Sequence, residues 1–174
     1  MCPVKTSRPA SIALAIVLAF PVQPRLATAR ALPQPASADY VLVLKARRKL
    51  LLLHEGKILK AYHVSLGGHP TGRKTREGDR KTPEGRYILD WHNAQSDFYR
   101  SIHISYPNAV DLARAAKSGA PPGGDLFVHG QPNDYQGPGA QPGDWTEGCI
   151  AVSNAEMDEI WRAVPDGTPI EIRP

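Results

Sequence analysis

Short apolar runs separated by turn residues recur through most of this chain, and most of them have the length and composition of β-strands. YVLVLKA is rich in β-branched and apolar residues, and KLLLLHEGKILKAYHVSLG contains two apolar runs on either side of Glu55-Gly56, a hairpin turn signal. Further short runs are RYILDWH, RSIHISY, DLFVHG and TPIEIRP. The pattern therefore predicts a domain built mainly from strands.

Two segments have a helical pattern instead. NAVDLARAAKSG can begin at an Asn108 cap and end at Gly119. SNAEMDEIWRAV has the capping-box pair Ser153 and Glu156, and an apolar stripe of Met157, Ile160, Trp161 and Val164 that predicts a face packed on a core. We expect a mostly-β domain with short helices packed at its side, and the pattern leaves open whether the strands form a bent sheet or a β-sandwich.

The N-terminal region differs from the rest of the chain. A basic start with Lys5 and Arg8 precedes an apolar run at residues 10–20, which is shorter than the roughly 20 residues needed to span a bilayer. Small-x-small sites follow, ending at Ala29 and Ala38. This arrangement predicts a secretory signal peptide, with an uncleaved membrane anchor as the alternative.

The predicted organisation is a signal peptide at residues 1–29, with a later alternative cleavage site after residue 38, a linker at 30–39 and one domain at 40–174. Localisation in the periplasm or cell envelope follows, with transient membrane association only through the signal peptide. The 21 basic and 17 acidic residues give a net charge of +4. Removing Lys5, Arg8 and Arg25 with the signal peptide leaves about +1, so the charge does not support nucleic-acid binding.

Cleavage would also remove Cys2 and leave Cys149 as a lone thiol in an exported protein. Such a thiol can be reactive, bridge to another molecule or be an inert buried residue. His129 is a candidate base, because a free thiol with a pKa of roughly 8.5 needs a base or a cation to react at neutral pH. Gly130 and Gly148 flank the two residues, and N–H groups around Gly148 and Cys149 could face an oxyanion. Both residues could equally be structural.

The segment FVHG, fifteen further residues and then TEGCIAVSN together resemble the signature of the L,D-transpeptidases with a YkuD-type catalytic domain. KARRKLLLLHEGKILKAYHVSLG is similar to the first strands of that family, and GDRKTPEGRYIL to its Gly-Asp…Thr-Pro-x-Gly-x-Tyr segment. The resemblance covers nearly all of residues 40–174, and ISYPNAVDLARAAKSG and TEGCIAVSNAEMDEIW look like a divergent, short branch close to the YafK-type proteins. Two positions depart from the common pattern: Glu147 stands where many members have His, and Ala151 where many have Arg or Asn.

The resemblance implies the L,D-transpeptidase fold and an enzyme that acts on peptidoglycan stem peptides without a metal ion or an organic cofactor. Cys149 would attack a peptide carbonyl next to a diaminopimelate-type L-centre, with His129 as proton acceptor and donor. The Gly130 carbonyl would orient the imidazole, and N–H groups near Gly148 would stabilise the oxyanion. A second stem's amine would then accept the acyl group and form a cross-link.

Two other functions stay open at this point. If water accepts the acyl group, the enzyme is a carboxypeptidase or endopeptidase, which trims stems or releases a bound lipoprotein. A catalytically inactive peptidoglycan-binding module is the third reading. Substrate-binding candidates are drawn from the basic loop and from the neighbourhood of the motif, although a solvated surface or core packing explains several of them equally well: Arg73, Arg80, Tyr106, Trp145 and Thr146. Asp144 is placed to pair with His129 or to cap a turn.

Overall fold

The computed structural model describes residues 37–174. The predicted signal peptide, residues 30–36 of the predicted linker and Cys2 lie outside the described residues. Within residues 37–174, no helix is both long enough and apolar enough to cross a membrane.

Strands form most of the regular structure, as the apolar pattern predicts. In chain order the elements are β1 (Tyr40–Leu44), β2 (Lys49–His54), β3 (Lys57–His63), β4 (Gly85–Asn93), β5 (Ser101–Ile104), α1 (Ala109–Ser118), β6 (Leu126–His129), β7 (Ile150–Ala151), α2 (Asn154–Ala163) and β8 (Thr168–Arg173). A short 3₁₀ turn, Lys45–Arg47, joins β1 to β2. The predicted hairpin, the two helices and their caps at Asn108 and Ser153 are all present.

The eight strands form one mixed sheet in the order β3-β2-β1-β8-β4-β5-β6-β7. Neighbouring strands are antiparallel except in two pairs, β1 with β8 and β6 with β7. The C-terminal strand β8 lies between β1 and β4, so it joins the N-terminal hairpin to the strands that carry the candidate site. The predicted mostly-β class is confirmed. Of the two alternatives that the sequence allowed, a bent sheet and a β-sandwich, the strands form a single sheet.

One hydrophobic core stabilises the sheet and its helices. Alternate residues of the strands are buried in it, as in β8, where Ile170 and Ile172 are buried and Glu171 is not. Helix α2 contributes Met157 and Ile160 to this core, its C-cap residue Val164 is buried there too, and Trp161 packs against it while partly exposed. The stripe predicted from the sequence is therefore the buried face of α2.

The long Gly/Pro-rich loop between β3 and β4 packs against β7 and the segment that precedes it. Ser65 exchanges two backbone hydrogen bonds of 2.9 Å with Ala151, and the N–H of Thr146 donates to the carbonyl of Leu66 at 3.1 Å. Gly67 is required at its position, because a Cβ there would lie 2.3 Å from the Arg80 carbonyl oxygen. The loop therefore forms a wall beside Cys149.

A buried lysine holds this loop to the end of β1. Lys45 Nζ donates to the carbonyl oxygens of Gly72 and Thr82 at 2.7 and 2.9 Å, and to Glu84 Oε1 at 2.9 Å. The Lys45 and Glu84 side chains are only 3% and 11% exposed. A buried charge without a partner is strongly destabilising, so the pair constrains where the loop lies.

We expect Lys45→Met to lower the free energy of unfolding by about 3–5 kcal/mol, because it leaves the Glu84 carboxylate buried without a cation. Urea denaturation measures this loss. The double variant Lys45→Met/Glu84→Met should recover much of it. Lys60→Met removes an exposed ion pair with Glu159 and should cost less than about 1 kcal/mol. Equal losses for Lys45→Met and Lys60→Met would contradict this account.

Candidate active site

His129 and Cys149 are brought together by the parallel pairing of β6 with β7. Val128 lies opposite Ile150, and His129 lies opposite Ala151. Extending this register by one residue places Cys149 beside Phe127. Opposed residues point to the same face of a sheet and alternate residues along a strand share a face, so His129 and Cys149 lie on one face as diagonal neighbours.

Both side chains line the same cavity, which has a volume of about 230 Å³. Polar residues at the end of β4 and in its connection to β5 form much of the wall, among them Asn93, Gln95 and Asp97. Phe127 lines the cavity as well. A thiol and an imidazole therefore meet at a space that a small peptide segment can enter.

The ring of His129 is held in one tautomer. His129 is 3% exposed, and its Nδ1 lies 2.7 Å from the Gly130 carbonyl oxygen. Because a carbonyl oxygen can only accept, Nδ1 must carry the proton, and Nε2 keeps its lone pair as a proton acceptor. Burial lowers the pKa of His129 to about 4, although the Gly130 contact favours the protonated ring. The imidazole is therefore neutral at pH 7.

Cys149 is the one cysteine among residues 37–174, and it is half-buried. Its Sγ lies 3.9 Å from the carbonyl oxygen of Asp125. Burial raises the pKa of the thiol above its ordinary value, a hydrogen bond with the backbone of Phe127 and the charge of Lys74 oppose this, and Asp125 adds to it. The resting pair is a neutral thiol beside a neutral imidazole, so the proton moves during attack rather than before it.

The turn before Cys149 is fixed by Thr146. Thr146 Oγ1 donates to the Cys149 carbonyl oxygen at 2.7 Å and accepts from the Gly148 N–H at 3.2 Å. Gly148 has φ of +136°, and a Cβ there would lie 2.8 Å from the Lys81 carbonyl oxygen, so only glycine fits. Since the Gly148 N–H already has an acceptor, the Cys149 N–H is the better placed of the two predicted oxyanion donors.

Asn154 is a positioning residue that the sequence interpretation missed. Its Oδ1 accepts from the N–H of Gln131 at 2.8 Å. That N–H belongs to the same peptide unit as the Gly130 carbonyl that holds His129. Asn154 therefore fixes and polarises the acceptor for Nδ1 from the other end of one planar amide. One sequence feature could have drawn attention to Asn154: it directly follows the Ser153 cap, at a position where asparagine has no advantage in helix propensity.

Two aromatic rings enclose the imidazole, and one of them was not predicted. The ring centroids of Phe98 and His129 are 4.6 Å apart, and those of Trp145 and His129 are 5.8 Å apart. The predicted binding residue Trp145 thus lies beside His129. Its indole Nε1 is buried and has no hydrogen-bond partner among residues 37–174.

The remaining predicted binding residues are scattered. Arg80 pairs with Glu147, with Nε and Oε1 3.0 Å apart, and the Arg80 side chain is partly exposed while that of Glu147 is largely exposed. Arg73 is half-buried and lines neither cavity beside Cys149. Tyr106 is 4% exposed and donates to the Pro122 carbonyl oxygen at 3.0 Å, so it packs in the core away from the thiol.

Asp144 does not pair with His129. Its carboxylate binds the Arg48 guanidinium, with the closest N and O atoms 2.7 Å apart, and accepts from the Leu66 N–H at 2.9 Å. Asp144 therefore ties the loop wall to the β1–β2 turn. This structural role accounts for an aspartate so close to the motif.

A second cavity, of about 340 Å³, also has Cys149 in its lining and shares Asp125 with the first. Its charged lining residues are Lys74, Glu77, Asp125 and Glu147, and His129 is not among them. Lys74 is itself held by Asp79, with Nζ and Oδ1 2.9 Å apart. The thiol thus lies between two spaces, of which the first alone contains the candidate base.

A sheet that presents a thiol and a neutral imidazole at one cavity has the arrangement that cysteine acyl-transfer enzymes use. Residues 38–172 match the YkuD family, described as the L,D-transpeptidase catalytic domain. The chain belongs to this family.

Named relatives agree with this assignment. YafK of Escherichia coli strain K12, which its name places among the L,D-transpeptidases, is 29% identical in an alignment of 134 positions that covers 74% of this chain and 48% of YafK. The chain thus spans about half the length of the curated relatives it matches.

Solved structures share the fold. The helical cell shape determining protein Pgp2 from Campylobacter jejuni is 26% identical with a TM-score of 0.62, over 79% of this chain and 48% of Pgp2. An L,D-transpeptidase from Xylanimonas cellulosilytica aligns over 81% of this chain and 63% of its own, with a TM-score of 0.52 and 20% identity, and shows a common fold alone.

We expect Asn154→Ala to lower kcat/KM for the reaction of Cys149 with its substrate about tenfold. The reason is that the Gly130–Gln131 amide loses its partner and the imidazole loses its fixed orientation. The unsatisfied N–H should also cost about 1–3 kcal/mol of stability. Asn154→Asp keeps an oxygen acceptor and should retain more activity. Ser153→Ala, which removes only a helix cap worth about 1 kcal/mol, is the control. Loss of stability without loss of kcat/KM in Asn154→Ala would contradict a positioning role.

We expect the acid limb of the kcat/KM–pH profile near pH 4, because His129 accepts a proton only when neutral and burial lowers its pKa to about 4. Alkylation of Cys149 by iodoacetamide should keep accelerating as the pH rises beyond neutrality, because the pKa of the thiol is raised. Intact-mass measurements follow the alkylation. An acid limb at pH 6–7, or an alkylation rate already constant below pH 7, would indicate a thiolate–imidazolium pair instead.

Proposed function

We propose that this protein is a peptidoglycan L,D-transpeptidase that forms cross-links between stem peptides through a Cys149 acyl-enzyme. The observation that carries the proposal is the position of Cys149 between two cavities, only one of which contains His129. A transferase needs space for two substrates around one nucleophile, and the arrangement offers it. Family membership supports peptidoglycan stem peptides as the substrate class, and the predicted signal peptide is consistent with a reaction in the cell envelope.

The first half-reaction forms the acyl-enzyme. Cys149 Sγ attacks the donor stem's carbonyl carbon as His129 Nε2 takes the thiol proton, and the oxyanion forms beside the Cys149 N–H. The imidazolium is paired through Nδ1 with the Gly130 carbonyl. It then gives its proton to the leaving amine, which departs from the cavity that His129 lines.

The second half-reaction retraces this path with another amine. The acceptor amine must surrender a proton to His129 as it attacks the thioester, so it enters through the His129 cavity after the leaving group has left. The acyl part of the donor then occupies the second cavity, between Lys74 and Glu147. This assignment follows from the position of the base, since only the first cavity brings an amine to it.

Two contacts near the thiol suit a peptide substrate. The unpaired Nε1–H of Trp145 is a donor whose burial costs about 1–3 kcal/mol until an acceptor reaches it. The exposed Arg80–Glu147 pair can exchange partners with the ammonium and carboxylate groups of a zwitterionic stem, because exposed ion pairs are weak. Glu147 would then contact the stem peptide at this rim, at the position where many relatives have His.

Incubation of the purified protein with disaccharide-tetrapeptide muropeptides tests the proposal. Mass spectrometry should detect cross-linked dimers and a covalent acyl adduct on Cys149. Cys149→Ala should abolish both, and His129→Gln should lower turnover at least 10²-fold, the usual contribution of general acid–base catalysis.

Other products would assign a different function to the same site. Trimmed monomers without dimers would indicate a hydrolase, with water as the acceptor. Unchanged muropeptides that nevertheless bind the protein would indicate an inactive binding module. Full activity of Cys149→Ala would end the thiol mechanism. Cys149→Ser, which keeps the shape of the side chain, serves as the fold control.

A further inference from the structure

Next to the His129 cavity, an aromatic row crosses the outer face of three strands. Trp91 of β4 stacks on His103 of β5, with ring centroids 5.3 Å apart and planes at 21°. Phe127 of β6 meets both rings edge-on, with centroid separations of 5.6 Å from Trp91 and 5.1 Å from His103. Trp91 is 43% exposed, so one end of the row is open to a ligand.

A β-bulge aims Trp91 outward. Tyr87 and Leu89 of β4 are buried, and regular alternation would bury Trp91 on the same face. The pairing of β4 with β5 shifts between Leu89 and His92. Such an irregularity changes the direction of a side chain and often lies beside an active site. The exposure of Trp91 therefore results from the β-bulge in β4.

The row continues into the cavity that holds the catalytic pair. Phe127 lines that cavity together with His129 and Cys149, and Asn93 and Gln95 at the end of β4 line it too. Beside the row, Asp90 accepts a 2.7 Å hydrogen bond from His103 Nδ1. That bond leaves the second Asp90 oxygen and His103 Nε2 for hydroxyl or amide groups of a ligand.

We propose that this row binds a pyranose ring of the glycan strand that carries the acceptor stem peptide. The inference rests on the proposed function, since it takes the acceptor amine through the His129 cavity. Pyranose rings have one face of C–H groups, which pack against the negative face of an aromatic ring, and polar groups at their edge. An exposed tryptophan with a carboxylate and an imidazole beside it has the chemistry to receive both.

The reach of a stem peptide agrees with this placement. The lactyl group and two residues separate the sugar from a diaminopimelate in third place, roughly 10 Å for three extended units at 3.3–3.6 Å each. The row spans one ring contact from Trp91 to Phe127, and Phe127 already borders the cavity of Cys149. The stem is thus longer than the 5.6 Å between the ring centroids of Trp91 and Phe127, and Phe127 links the row to the cavity in which the amine reacts.

The test compares two acceptors that differ only in the sugar: a disaccharide stem peptide and the same peptide after amidase removal of the disaccharide. Trp91→Ala should lower kcat/KM for cross-linking to the sugar-bearing acceptor about tenfold. The sugar-free acceptor should change less than twofold, and acylation of Cys149 by a sugar-free donor should be unchanged. Trp91→Phe should restore most of the loss because it keeps an aromatic face.

Ile88→Ala is the matched control, because Ile88 is exposed on the same strand and outside the row. An equal loss for both acceptors would overturn the proposal in favour of a structural role for Trp91. No loss with either acceptor would overturn it as well. A change of sedimentation mass in Trp91→Ala would assign the row to a contact between copies of this chain.

Direct binding separates this proposal from the proposed function. Peptide-free disaccharide oligomers should bind Cys149→Ala in calorimetry, and the additional Trp91→Ala change should weaken the Kd about tenfold. If muropeptides are never cross-linked but this binding is lost with Trp91, the transpeptidase proposal fails and the glycan site stands. If cross-linking proceeds and the oligomers do not bind, the glycan site fails alone.

Discussion

The register of the short parallel pair β6–β7 is the constraint on which the site depends. It sets His129 and Cys149 on one face of the sheet, although twenty positions separate them along the chain. A shift of the pairing by one residue would turn the thiol to the opposite face. β7 has only two residues, so its own ladder cannot hold this register. The register of β7 is also fixed by the pairing of Ala151 with Ser65 on the other side of the strand and by the burial of Ile150.

Burial determines the electrostatics of the pair. Both groups are removed from water, which raises the cost of their charged forms and moves the two pKa values apart, downward for His129 and upward for Cys149. The proton therefore stays on sulfur until a carbonyl is present. The partner of His129 is a backbone amide and not a carboxylate. The carbonyl of this Gly130–Gln131 amide accepts from the imidazole, and its N–H donates to Asn154.

The residues around the site divide into a rigid interior and an open rim. Lys45, Asp144 and Thr146 act through buried or half-buried polar contacts that hold the β3–β4 loop against the turn before Cys149. Glu147 and Trp91 lie at the surface, and Arg80 is partly exposed. Of the motif, Thr146 and Gly148 thus maintain the backbone, and Glu147 between them is exposed.

Local chemistry was readable along the chain: strands from short apolar runs, helix starts from Asn108 and Ser153, and a thiol and an imidazole each beside a glycine. These features depend on neighbours a few positions apart, which a sequence displays directly. The meeting of His129 with Cys149, the part of Asn154, the burial of Tyr106 and the pairing of Asp144 with Arg48 depend on contacts between distant segments. Such contacts are decided by strand order and register, because only the folded sheet determines which of many compatible side chains become neighbours.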